Sequence, residues 1–106
     1  MKLFTNEIIR KLRKNNRDKT GASIADKEVV VKLFNPQGLG TWWLYSMDSH
    51  GNCFGIAQLQ DREYGYTNIH ELKSVRLPMG LKIERDMYYT PETFGELLWA
   101  KKKIGK

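Results

Sequence analysis

Three charged residues have the types found at the centre of metal-dependent nucleases: Asp61, Glu71 and Lys73. Such enzymes hold Mg²⁺ with paired acids and place a lysine near the attacking water. Glu71 and Lys73 fall on a predicted helix, however, where residues i and i+2 do not share a face. Glu84 and Asp86 form a second acidic pair on one predicted strand face, where the commoner explanation is a solvated face with ionic neighbours. We therefore expect no enzyme, with these five residues as the only candidates if there is one.

No cofactor or metal site is expected from the sequence. One cysteine, Cys53, and two widely spaced histidines match no zinc pattern. Asp48, His50 and Asn52 alternate as in a calcium loop, but Cys53 and Leu59 stand where that loop needs glycine and glutamate. A P-loop, a dinucleotide fingerprint and a G-x-S-x-G nucleophile are all absent from the sequence.

Aromatic residues on predicted strands are the strongest indication of a binding surface. In "TWWLYSMD", strand alternation places Trp43, Tyr45 and Met47 on one face, and Trp42 with Leu44 on the other. Exposed aromatic and arginine side chains commonly anchor protein partners, and exposed aromatics also stack on bases. The alternative is core packing, above all for the two tryptophans and Phe54. The residues predicted to contact a protein are Trp43, Tyr45, Tyr64, Tyr66 and Arg85.

The net charge of +6 is concentrated at the two ends of the 106-residue chain. Residues 1–20 hold seven basic and two acidic residues, and residues 101–106 hold four lysines and no acid. Basic ends on a near-neutral body favour a polyanion such as nucleic acid, although such ends also serve solubility. The residues predicted to contact nucleic acid are Arg10, Lys11, Arg13, Lys14, Lys101, Lys102 and Lys103.

These residues must be positioned by an α+β fold. Thr5 as N-cap and an apolar stripe at Phe4, Ile8 and Leu12 predict a helix from about Asn6 to Asn16. Residues 28–34 and "TWWLYSMD" read as strands, and "DSHGN" reads as a hairpin turn leading into the strand "CFGIAQLQ". Residues 62–68 predict a fourth, short strand.

The remainder predicts two more helices and one more strand. Asn68 caps a short middle helix, and residues 81–89 read as the last strand after a turn at "LPMG". Thr90 as N-cap and Pro91 at the first helical position predict the start of a C-terminal helix. The expected fold class is thus α+β, with a mainly antiparallel sheet of about five strands, an N-terminal helix, a short middle helix and a C-terminal helix.

The length predicts a single domain over residues 1–106, with a basic tail at 101–106. The start of the chain lacks the apolar run of a signal peptide, because Asn6, Glu7 and Arg10 interrupt it. No apolar run reaches the length of a membrane span. We therefore expect a cytoplasmic protein that does not bind membranes.

Several stretches resemble one family of small bacterial proteins, the domain of unknown function 2958. They are "LFTNEI", "TWWLYSMD", "CFGIAQ" and "EYGYTNIHELKSVRLPMGLKIERDMYYTPETFGEL". The family looks like one often found on plasmids and other mobile elements. The resemblance implies no catalytic residue and no cofactor.

Together these observations predict a small non-enzymatic binding protein. The expected role is that of a mobile-element accessory or host-defence-modulating protein, such as an inhibitor of a restriction or CRISPR nuclease, acting by protein–protein contact. The partner would be a host nuclease or nucleoprotein. The alternative is a nucleic-acid-binding module that uses basic termini and strand aromatics, and the second alternative is a metal-dependent nuclease.

Overall fold

One antiparallel sheet with helices on both faces forms the molecule, whose computed structural model describes residues 2–18, 21 and 23–98. The elements are α1 (Asn6–Arg17), β1 (Val31–Phe34), β2 (Thr41–Met47), β3 (Asn52–Gln58), β4 (Arg62–Asn68), α2 (Ile69–Ser74) and β5 (Glu84–Arg85). A third helix, α3, begins at Phe94 and is described as far as residue 98. The strands lie in the order β4-β3-β2-β1-β5, and every neighbouring pair is antiparallel. The predicted α+β class, with its five-stranded sheet and three helices, is confirmed.

A β-bulge in the central strand determines which side chains face each helix layer. Leu44 pairs with Gly55 and Ser46 pairs with Phe54, so Tyr45 is the extra residue of β2. An extra residue in a strand moves every side chain that follows it to the opposite face of the sheet. Met47 therefore lies on the same face as Leu44, and its predicted position beside Trp43 and Tyr45 is wrong. The hydrophobic pattern of the sequence does not indicate where a single residue is inserted in a strand.

The two faces of the sheet carry two separate apolar clusters. On one face, Leu44 and Met47 pack with Leu12 of α1 and Leu72 of α2. On the other face, Trp43, Tyr45 and Ile56 pack with Phe94 and Leu97 of α3. This arrangement explains why both faces of the central strand bury apolar side chains, with Trp42 partly buried, since each face has its own helical cover.

The helix starts follow the side chains that cap them. Thr5 accepts a hydrogen bond from the Ile8 amide at 3.1 Å, and Asn68 accepts one from the His70 amide at 2.8 Å, as predicted. The predicted start of α3 at Thr90 and Pro91 is wrong. Thr93 is the cap there, and it forms a reciprocal capping box with Glu96, with bonds of 2.8 and 3.1 Å.

The last strand is much shorter than the predicted span of residues 81–89. Only Glu84 and Arg85 pair with β1. The carboxylate of Asp86 accepts a hydrogen bond from the Tyr88 amide at 2.9 Å, which folds the chain into a turn directly after the pairing. The β5 edge of the sheet is therefore short.

Gly55 supplies the first prediction, because the bulge presses the backbone of β2 against it. A Cβ atom at this position would lie 2.0 Å from the Trp43 carbonyl oxygen. We expect Gly55→Ala to lower the free energy of unfolding by about 1–3 kcal/mol or more, measured by chemical denaturation. Gly65, which pairs directly with Gly55, is the matched control, since a Cβ there would meet nothing within 4 Å. Equal losses in the two variants would contradict the close packing at the bulge.

Candidate functional site

Helix α1 presents a basic surface to solvent. Its apolar side chains pack on the sheet, with Leu12 fully buried and Ile8 and Ile9 partly buried. The opposite half of the helix circumference carries five exposed cations, and we call this surface the basic face of α1. Its members are Arg10, Lys11, Arg13, Lys14 and Arg17. The structure thus brings together four predicted nucleic-acid contacts and adds Arg17, which the same helical spacing could have indicated.

The acids nearest this face are Glu7 within α1 and Asp18, which follows the helix and lines a cleft with Lys11 and Lys14. Glu7, in the first turn, is the sole acidic residue of α1. Among the described residues, none of the five cations forms an ion pair, and the pair that does form, Lys32 with Asp86 at 3.7 Å, lies elsewhere. Arg10 and Arg17 are seven residues apart, about 10 Å along the helix axis. A series of exposed cations of this length suits a phosphate backbone. Lys101, Lys102 and Lys103 lie outside the described residues.

Two of the predicted protein-contact residues are buried. Trp43 is 3% exposed and Tyr45 is 8% exposed. Arg62 stacks on the Trp43 ring, with its guanidinium carbon 4.8 Å from the ring centroid, and donates a hydrogen bond to the Leu97 carbonyl at 2.5 Å. Tyr45 packs edge-to-face on Phe94 at 5.9 Å. Trp43 therefore packs in the core, which is the alternative that the sequence left open for it, and Tyr45 is buried in the same cluster.

Tyr64 and Tyr66, by contrast, reach solvent. They are 38% and 76% exposed on β4, which is an edge strand of the described sheet. Phe54 of the neighbouring strand stacks on Tyr64 at 5.8 Å and contacts Tyr66 at 5.3 Å. We call these three residues the aromatic patch. It lies on the sheet face that α3 covers in part, since Tyr64 also contacts Phe94 at 5.4 Å.

Arg85, the fifth predicted protein contact, is far from the aromatic patch. It lies on β5, at the opposite edge of the sheet from β4. It is partly buried, and its guanidinium donates a hydrogen bond to the Lys2 carbonyl at 3.0 Å. The structure therefore does not bring Arg85 and the tyrosines into one site.

The candidate nuclease residues do not lie together in one site either. Asp61 precedes β4 and Glu71 follows it, and a strand of seven residues spans about 23 Å. Lys73 lies close to the ring of Phe4, at 5.9 Å from its centroid. Asp86 pairs with Lys32, and Glu84 lies on the short strand β5. Within the described part of the chain, no group of three or more His, Cys, Asp and Glu residues could hold a metal ion.

The hairpin between β2 and β3 uses its polar residues for the turn itself. The Asp48 carboxylate accepts hydrogen bonds from the backbone amides of His50 and Asn52 and from the Asn52 side chain. These hydrogen bonds lower the pKa of Asp48, and the bond from the Asn52 backbone amide has the largest effect. The predicted hairpin is confirmed, and Gly51 adopts the positive φ of 84° that the turn requires.

Two residues with structural importance carried no signal in the sequence. The side chain of Asn15 donates a hydrogen bond of 2.7 Å to the carbonyl of Tyr45, the residue at the bulge. Lys27 lies over the Tyr45 ring at 5.0 Å, and its ammonium donates to the Tyr45 hydroxyl at 3.4 Å. Both contacts join segments that are distant in sequence, so they follow from the fold and from no local pattern.

Comparison with protein families gave one match. A family described as Protein of unknown function (DUF2958) matches residues 3–101. Neither the curated proteins nor the solved structures gave a significant match. None of the helices in the described residues combines the length and the apolar character needed to cross a membrane.

Cys53 allows a test of whether the one thiol takes part in chemistry. It is fully buried, and burial, followed by the charge of Asp48, raises its pKa from 9.0 to about 12. At pH 8 the folded protein should then hold about a thousandfold less thiolate than the unfolded chain. We expect a thiol reagent to label the native protein at least about a hundredfold more slowly than the denatured protein. Rapid native labelling that is absent in Cys53→Ser would contradict this burial.

Proposed function

The chain belongs to the DUF2958 family, whose description assigns no function, and we propose that it acts as a non-enzymatic binding protein whose main surface is the basic face of α1. The single observation that carries the proposal is the set of five exposed cations on one helix, within which Glu7 is the sole acidic residue. The ligand we propose is nucleic acid, contacted through its phosphates. The place of action we propose is the cytoplasm.

Phosphate contact fits this surface better than base recognition does. A protein that stacks on bases combines aromatic platforms with basic residues on one surface. Here α1 packs on one face of the sheet, whereas Tyr64 and Tyr66 belong to the other face. One short strand of nucleic acid therefore cannot use both surfaces as a single stacking groove. The basic face remains as a site for the backbone charge.

A second candidate function, protein contact, rests on the aromatic patch. Tyr66 is 76% exposed although it is a large apolar ring in an aromatic cluster, and β4 is an edge strand of the described sheet. Tyrosines of this kind are typical anchors of protein interfaces. The partner class that we propose for this patch is a host nuclease or nucleoprotein, in keeping with a mobile-element or anti-defence role.

The nucleic-acid proposal predicts a steep dependence of affinity on salt. If all five cations contact phosphates of duplex DNA, log K should fall against log salt with a slope of about −4.5. The double variant Arg10→Gln/Arg13→Gln should reduce the slope to about −2.7, because each lost contact removes about 0.9. Glutamine keeps a helix propensity close to that of arginine, so the fold is preserved. Fluorescence anisotropy between 50 and 200 mM salt measures both slopes.

Glu7→Gln is the matched control, and it should change the affinity for duplex DNA in the opposite direction. Removal of the one acid of α1 should strengthen duplex binding, since Glu7 is exposed on the same helix as the five cations. Affinity that does not change with salt, or that is identical in the wild type and the double variant, would exclude the basic face as the binding surface.

The protein-contact candidate predicts a variant that loses binding without losing stability. Tyr66→Ala should change the free energy of unfolding by no more than about 1 kcal/mol, because the side chain is mostly in solvent and loses mainly its cross-strand contact with Phe54. The same variant should lose proteins that the wild type retains from a nuclease-treated lysate, whereas Arg10→Gln/Arg13→Gln should retain them. A large loss of stability in Tyr66→Ala would place Tyr66 in the core and remove this candidate.

A further inference from the structure

We propose that the cleft between α1 and residues 27–30 binds a phosphate group. The cleft has a volume of about 420 Å³, and Lys11, Lys14 and Lys27 are among its lining residues. The phosphate could come from a nucleic-acid backbone or from a small phosphorylated compound. Only the first source rests on the proposed function.

The three lysines reach the cleft from two separate elements. Lys11 and Lys14 lie on the last two turns of α1, where cations also stabilise the helix dipole. Lys27 is not part of that helix, so the dipole does not account for its position. Among the described residues, none of these three ammonium groups forms an ion pair. Asp18 and Glu28, which also line the cleft, offset the repulsion of the three lysines only in part, and an anion between the lysines would relieve the rest.

A buried hydroxyl adds a donor at the wall of the cleft. Tyr45 lines the cleft and is 8% exposed. Its oxygen accepts a hydrogen bond from the Lys27 ammonium at 3.4 Å, so its own hydrogen remains for an acceptor. Lys27 likewise keeps two N–H groups. A phosphate oxygen is the acceptor that such charge-assisted donors bind best.

The acids of the cleft limit what can bind there. Asp18 and Glu28 also line it, so the lining residues carry a net charge of +1. This balance suits a single phosphate group held by the lysines better than a densely charged polyanion that fills the whole cleft. A nucleic-acid chain would therefore place one phosphate here, while its neighbours contact the rest of the basic face.

The test is a titration of the ¹⁵N-labelled full chain with inorganic pyrophosphate, followed by NMR, with sodium chloride at equal ionic strength as the reference. We expect saturable shift changes at Lys11, Lys14 and residues 27–30 that chloride does not reproduce. Tyr45→Phe keeps the ring that packs on Phe94 and removes only the hydroxyl. It should weaken pyrophosphate binding about tenfold, and Lys27→Gln should do the same.

Lys82→Gln is the control, since Lys82 is an exposed lysine that does not line the cleft. Its affinity for pyrophosphate should equal that of the wild type. Shift changes that are spread over all lysines without saturation, or an equal affinity in Lys27→Gln, Tyr45→Phe and the wild type, would overturn the proposal.

A second titration with duplex DNA distinguishes the two sources of phosphate. If pyrophosphate competes with the duplex for the cleft residues, the backbone supplies the phosphate. If the wild type binds pyrophosphate in the cleft but the duplex leaves the chemical shifts of the cleft residues unchanged, the ligand is a small phosphorylated compound. The proposal that the cleft binds phosphate is then supported. Failure of the duplex to bind at low salt would refute the proposed nucleic-acid function. It would not refute the phosphate site, because the titration with pyrophosphate does not depend on duplex binding.

Discussion

The bulge at Tyr45 is the constraint on which the rest of the structure depends. It lies in the central strand of the sheet and turns Met47 towards α1 and α2, while Tyr45 faces α3. The backbone carbonyl of Tyr45 accepts a hydrogen bond from the side chain of Asn15, which lies outside the sheet on α1. The close approach of the bulge to the next strand leaves room only for glycine at position 55. One inserted residue thus links both helix layers to the sheet.

Because both faces of the central strand are covered, binding surfaces must lie at the periphery. The helix that covers one face does so with its apolar stripe, and amphipathic geometry then places its charged residues in solvent. On the other face, α3 contacts Tyr64 through Phe94 but leaves Tyr66 largely exposed. The basic face and the aromatic patch are therefore consequences of how the two layers cover the sheet.

The parts of this architecture that were predictable are those set by local chemistry. The cap at Thr5, the hairpin at Gly51 and the basic residues opposite an apolar stripe all follow from short-range patterns. Core packing of Trp43 was one of two interpretations that the sequence left open, and the choice between them was not predictable, because it depends on Arg62 and Leu97, which come from two other elements. The start of α3 had a local signal, the pair Thr93 and Glu96, but the stronger-looking pair Thr90 and Pro91 competed with it.

The separation of charge and aromatic rings across the sheet bears on the kind of ligand. A protein that reads single strands needs both features on one surface, so that bases stack while phosphates are neutralised. Here Tyr45, the aromatic residue at the cleft beside the basic face, is buried, and its hydroxyl accepts a hydrogen bond from Lys27. The phosphate contact that we propose at α1 would then rest on charge and hydrogen bonds, because the described residues of α1 and of the cleft include no exposed aromatic ring. That chemistry favours binding that follows the backbone and is indifferent to sequence.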